Sequence, residues 1–338
     1  MVDITDPEIP WNDYEALRDT DLEVPDDETL RAVAFVDKGG TSKTTSLAHM
    51  GVVAHNELGL DTLLLSLDGK QNDLATHFGL ESEIEDALKF PTIAQAFAPN
   101  LDEIDERLRD DAPDYGILGD LVVETGEGQD SGPDLIPASE ELDGVDSSLS
   151  NIDDTDQRYS ILDNFLSEYV DQHYDLILID VPGSTSNVAT NALWATKHVF
   201  TPVRPSPLDT KQAEKIRSEI KEKKEKHDML ENLELSMVML SQIDKRTNAG
   251  QHFLDSFGEE FPVELAPEPV QNTQAMVNAQ LDRETLFAYE TDSSTAEEAR
   301  QQYRRNTAEL IRRLTTPNWR ASKMNELGIN PDGYEAKL

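Results

Sequence analysis

Lys38, Lys43, Thr44, Asp68 and Asp180 are the residues of this chain whose types and spacing suit work on a polyphosphate. The first three lie in Ala32-Val33-Ala34-Phe35-Val36-Asp37-Lys38-Gly39-Gly40-Thr41-Ser42-Lys43-Thr44-Thr45. Such a loop offers backbone N–H groups to an anion, here from Gly39, Gly40, Thr41, Ser42 and Thr45, and the dipole of the following helix favours the negative charge. Lys43 would reach the β- and γ-phosphates, and the Thr44 hydroxyl would coordinate Mg²⁺. Asp180 closes the aliphatic run Leu176-Ile177-Leu178-Ile179 and would hold Mg²⁺ through water. Asp68 ends a second such run, at the edge where open α/β sheets place ligands; a helix N-cap over residues 72–78 is its bland alternative.

The elements that must position these groups are legible around them. Residues 32–36 are apolar and rich in β-branched and aromatic side chains, which predicts a buried parallel strand. After the glycines, Leu47, Met50, Val53 and Ala54 recur at helical spacing. Residues 61–68, 134–139, 174–180, 198–203 and 233–241 read as further strands, with helices over 159–170, 187–196, 210–227 and 295–314. This alternation predicts an α/β fold of three layers, a mostly parallel sheet with helices on both faces. Residues 93–97 and 101–108 read as short helices, 121–123 and 262–265 as short strands, and 124–133 and 147–156 as loops.

Lys-Gly-Gly-x-x-Lys-Thr-Thr resembles the deviant Walker A loop of the ParA/MinD family of P-loop ATPases, with Ser42 in the place of a glycine. Further segments similar to that family follow in order. Asp68-Gly69-Lys70-Gln71-Asn72 resembles switch I, departing at Gly69, Lys70 and Gln71, with Ser66 in place of an aspartate. Asp180-Val181-Pro182-Gly183 resembles switch II. The stretch from Ala266 through Pro267 to Asn272 resembles the loop bordering the adenine. After the strand at 233–241 there is no Asn-Lys-x-Asp of the guanine-reading type, so adenine is preferred. The likeness spans roughly residues 31 to 315.

What the resemblance implies is specific. Lys38 would reach across a dimer interface to the partner's nucleotide, and Asp68 would orient the attacking water. The cofactors would be ATP and Mg²⁺, the activity a weak ATPase, and the assembly a homodimer sandwiching ATP. Such a dimer binds non-specific DNA and answers to a ParB-like partner in plasmid or chromosome partition. A MinD-like positioning ATPase is a second reading. A nucleotide-binding switch with little or no hydrolysis, motivated by Ser42 and Ser66, is a third.

Composition limits these readings little. Lys+Arg 29 against Asp+Glu 68 gives a net charge of −39 in 338 residues. That reads as either a solvated acidic protein or one adapted to high salt, where self-repulsion is screened; the intact apolar periodicity argues against disorder and favours the second. The absence of cysteine excludes disulfides and iron–sulfur clusters. No signal peptide or long apolar run is present, so a cytoplasmic protein is expected, nucleoid-associated if it binds DNA. Residues 1–29 read as a mobile or loosely docked acidic arm with Trp11 and Tyr14 as candidate anchors on the body, 30–316 as the ATPase domain and 317–338 as a tail without an amphipathic membrane helix. Arg300, Arg304, Arg305, Arg312 and Arg313 are the candidate DNA contacts. The lysines of the 210–227 helix have glutamate neighbours at i,i+4 and read as a self-paired face.

Overall fold

The structure, a computed structural model, describes the chain except residues 26–27, 37–41, 70–72, 88, 110–115, 127–130, 184–185, 205–206, 227–229 and 336–338. Near the N-terminus β1 (Val2–Asp3) and β2 (Leu22–Glu23) form a small parallel pair. The main sheet is built from β3 (Leu30–Ala34), β4 (Thr62–Ser66), β5 (Asp134–Ile136), β6 (Leu176–Asp180), β7 (His198–Val203) and β8 (Glu234–Leu240). Its order is β5-β4-β6-β3-β7-β8, and every pairing is parallel. A parallel sheet is buried on both faces, which is why these strands are continuous apolar runs rather than alternating ones.

Successive side chains point to opposite faces and so feed two cores. Val33, Leu63, Leu65, Ile177, Ile179 and Val199 face one layer of helices, which includes Asn187–Thr196 and contributes Leu193 and Trp194. Ala32, Ala34, Leu64, Leu176, Leu178 and Phe200 face the other, where the helices Lys43–Val52 and Ser294–Thr315 lay down Leu47, Met50, Tyr303 and Ile311. The three-layer expectation holds. Asn187–Thr196 and β7 have the bounds expected of them.

Several expectations need correction. The N-terminal arm is not loosely docked: Ile4, Ile9, Tyr14, Leu17, Leu22 and Val24 are buried in the same core as the Lys43–Val52 helix. Tyr14 also donates a 2.7 Å hydrogen bond to Glu57. These residues follow no single period because they sit on turns, a five-residue helix and two-residue strands. Burying a side chain such as Leu17 is still worth about 2 kcal/mol.

The tail likewise folds onto the body, as helices Trp319–Leu327 and Pro331–Glu335, with Trp319, Met324 and Tyr334 packed on Val263. Residues 117–121 are helical, and only Val123 makes a β-bridge, antiparallel to Leu135. Much of 147–156 is helical, in Leu142–Leu149 and Thr155–Tyr159. Residues 262–265 form no strand; Leu265 bridges Val238 alone.

Candidate functional site

Register sets the site. Ala34 on β3 and Ser66 on β4 both stand opposite Asp180 on β6, so three strands end level at the carboxyl edge of the sheet. The chain leaving β3 returns at Ser42 and enters the Lys43–Val52 helix, whose first residues face that edge. Lys38, Gly39, Gly40 and Thr41 lie outside the described residues, as do Lys70, Gln71 and Asn72.

Thr44 Oγ1 donates a 2.6 Å hydrogen bond to Asp180 Oδ2. The other oxygen, Oδ1, is buried with no hydrogen-bond partner. Burial pushes the Asp180 carboxyl up to about 6; the Thr44 hydroxyl and the Lys43 charge pull it down, while Asp68 and Asp73 push it further up. Lys43 is itself only 8% exposed. An orphaned carboxylate oxygen beside a threonine hydroxyl is an incomplete set of hard oxygen donors, and the buried Lys43 ammonium next to it suits an anion. The oxygen set fits a small divalent cation that keeps its waters and takes its remaining ligands from phosphate. Among the described residues no group of three or more His, Asp or Glu side chains could hold a metal unaided. A metal therefore fits here together with a phosphate ligand rather than in a protein cage.

Asp68 lies two residues past the end of β4 and is partly exposed. With burial, its charge holds the nearby Asp73 carboxyl above the usual range, which places the two carboxylates in one field. The Gly69 departure has a steric cause: a Cβ there would come within 2.6 Å of the Ser139 carbonyl oxygen. The loop expected to border a base is pinned from behind. Glu268 N–H donates to Asn306 at 3.0 Å and Gln271 N–H to Gln302 at 2.8 Å, leaving Pro267 exposed at its rim.

Two features were missed. Arg204, just past β7, donates from Nε to Ser42 Oγ at 3.0 Å; its position after a strand, at the sheet edge where Asp68 and Asp180 lie, was the available signal. Behind Thr45 stand two buried histidines. His49 Nδ1–H donates to the Thr45 carbonyl at 2.6 Å while Nε2 accepts from Leu286 N–H at 2.9 Å, so the ring is neutral with one tautomer. His77 Nε2 lies 3.2 Å from Thr45 Oγ1. Burial pushes His49 down to about 3, helped by His77, and His77 down to about 4.

The candidate DNA-binding arginines do not form a basic surface. Arg313, 2% exposed, donates to the carbonyls of Ser236, Glu264 and Leu265 and to Glu309. Arg304 grips Glu57 bidentately at 2.7 and 2.8 Å. Arg300 donates to the carbonyls of Leu286 and Tyr289, and Arg312 is bidentate to Glu309. Arg305 alone of the five is largely exposed, and it pairs with Glu268. The physical reason is that guanidinium forks suit buried carbonyl and carboxylate clusters. In an acidic protein, most of the arginines of this helix are taken up in that way.

A parallel sheet with a strand–loop–helix turn at its carboxyl edge, a buried lysine and a threonine–aspartate pair define a P-loop nucleotide-binding protein. The family model described as AAA domain matches residues 31–235, more than half of the chain, and the chain belongs to that family. Within it the chain is of the ParA/Soj type. It is 26% identical over 278 residues to a ParA family protein of Chlamydia trachomatis, covering 81% of this chain and 94% of that one. It is 25% identical over 261 residues to the sporulation initiation inhibitor protein Soj of Bacillus subtilis, covering 77% and 91%. Cobyrinic acid a,c-diamide synthase from Mycobacterium smegmatis, solved with an ATP analog and magnesium, superposes with a TM-score of 0.58 at 22% identity, covering 76% of this chain and 93% of that one. That likeness is one of fold.

Proposed function

We propose that this chain is a Mg²⁺-dependent ATPase of the ParA type, a dimeric switch acting in plasmid or chromosome partition. The observation that carries the reading is the Thr44–Asp180 pair with its orphaned Oδ1, set against Lys43 at the start of the helix. Lys43 brings a fixed positive charge to the phosphates. Thr44 donates its hydrogen bond to Asp180 Oδ2, which leaves the hydroxyl lone pairs for a cation, and Asp180 Oδ1 would hold a water of that cation. Mg²⁺ held by Thr44 and, through water, by Asp180 would supply positive charge that offsets the charge of the phosphates. Asp68 orients the attacking water. The family resemblance, with relatives named ParA and Soj, supports the choice of ATP and of partition.

In this proposal ATP closes a homodimer through Lys38, the dimer binds DNA without sequence preference, and a ParB-like partner triggers turnover. The net charge of −39 fits a cytoplasm of high salt. The third reading loses its motive at Ser42, which adopts the left-handed conformation a glycine would otherwise supply, at φ 71°.

The test is a nucleotide titration with turnover and light scattering. Lys43→Ala should lose ATP binding by on the order of 2–5 kcal/mol, the cost of removing one partner of a buried charge pair. Lys38→Ala should bind ATP as a monomer yet form no ATP-dependent dimer and lose turnover. Unchanged ATP affinity in Lys43→Ala would remove the phosphate-loop assignment, and a normal ATP dimer in Lys38→Ala would remove the cross-dimer role.

A further inference from the structure

Serine just before a helix ordinarily caps it, its hydroxyl accepting from the second or third backbone N–H. Ser42 does not. It sits in the left-handed region at φ 71° and ψ 21°, and its side chain makes no capping bond to the helix. The hydroxyl instead accepts from Arg204 Nε at 3.0 Å, with Ser42 7% exposed. Left-handed backbone costs a residue with a Cβ about 1–2 kcal/mol, so something must hold it there.

The sheet fixes where Arg204 can be. It follows Val203, the last residue of β7, which lies between β3 and β8. Phe35 N–H donates to Phe200 O at 3.1 Å, Thr201 Oγ1 to Phe35 O at 3.0 Å, and Ser241 N–H to Val203 O at 2.8 Å. The strand that carries Arg204 is thus tied to the strand that feeds the phosphate loop, immediately before both leave the sheet.

We infer that Arg204 is a positioning residue for the phosphate loop. Through Ser42 it secures the left-handed turn that glycine would adopt unaided, and it keeps the serine hydroxyl off the helix. The first N–H groups of the Lys43–Val52 helix then stay open for the nucleotide phosphates, which is the role such N–H groups serve in an anion site. This inference rests on the nucleotide-binding reading above.

The experiment is a double-mutant cycle on the full chain, reading ATP affinity by calorimetry with Mg²⁺ and the unfolding midpoint without nucleotide. Arg204→Ala should weaken ATP binding about tenfold when residue 42 is serine. In the Ser42→Gly background the same change should cost less than about threefold, because glycine takes φ > 0 freely and has no hydroxyl to misplace. Arg204→Lys should behave like alanine in both backgrounds, since an ammonium does not reproduce the Nε geometry of the planar fork. The unfolding midpoint without nucleotide should likewise fall further in the serine background than in the glycine background, because only serine needs help to hold φ > 0. Should Arg204→Ala not fold, Arg204→Gln carries the same cycle. Equal losses of affinity in the two backgrounds, or rescue by lysine, would overturn the positioning role and leave nucleotide binding standing. A wild-type chain that binds no ATP would remove both.

Discussion

Thr44 and Asp180 are 136 residues apart in the chain and 2.6 Å apart at the sheet edge, hydroxyl to carboxylate. That bond satisfies only half of a carboxylate that is 3% exposed, and its other oxygen meets no donor. Burial of an ionised carboxylate with one donor carries a desolvation cost.

Replacing Asp180 with asparagine should therefore stabilise the nucleotide-free fold. Burial has raised this carboxyl from 3.8 to about 6, which corresponds to a cost of at most about 3 kcal/mol for keeping it ionised near neutral pH. Asp180→Asn removes the charge and keeps an acceptor for Thr44. Thermal unfolding without ligand should move up by a few degrees, while Mg²⁺ should no longer strengthen ATP binding. An unfolding midpoint that falls would show that the charge is compensated by the apo protein itself.

Acid should weaken the fold through His49 and His77. Both are held neutral, at about 3 and about 4, whereas an unfolded imidazole titrates near 6.5. Between those values the unfolded chain binds protons that the folded chain refuses, so stability is full above about pH 6.5 and falls as the pH drops toward 4. The slope should be on the order of 1 kcal/mol per pH unit per histidine. Asp180 acts the other way, because its raised pKa lets the folded state take up a proton below about 6. Urea midpoints of the wild type and of His77→Gln over pH 7 to 5 check the sign. A His77→Gln protein that loses stability with acid as steeply as the wild type would remove His77 from this account.

Any DNA contact should come from the Pro207–Lys226 helix rather than from the arginines of Ser294–Thr315. Lys223 is held by Thr190 at 3.0 Å, Lys226 by Glu222 and Lys215 by Glu219, but Lys224 is exposed. In a gel shift with ATP at molar KCl, Lys224→Ala should weaken duplex binding and lower the salt slope by about 0.9 for each phosphate that is no longer neutralised. Arg304→Ala should instead destabilise the fold by on the order of 3 kcal/mol, because it leaves the Glu57 carboxylate with the Tyr14 hydroxyl but without its opposite charge, with duplex affinity per folded molecule unchanged. Arg305→Ala, at an exposed pair, should change stability by under about 1 kcal/mol. Loss of duplex binding in Arg305→Ala with Lys224→Ala intact would return the contact to the arginine helix.

The sequence by itself determined the sheet, the phosphate-loop turn and the carboxylate at the end of β6. A strand buried on both faces must be locally apolar, and a strand–glycine–helix turn must be local in the chain, so both leave contiguous patterns. Lys43, Thr44 and Asp180 could be named because each is adjacent to such a pattern. Only the tertiary structure decided what distant residues do for one another. Nothing near Arg204 in the chain marks it as a partner for Ser42, 162 residues away, and nothing near Ile4 or Leu17 marks them as core. Arg313 and Arg305 lie on one helix eight residues apart, yet one is buried among carbonyls and the other faces solvent. A guanidinium carries the same charge in both settings. Which setting it occupies depends on the carbonyls of residues 236, 264 and 265 that fold over it, and no local sequence pattern encodes a neighbour that arrives from another part of the chain.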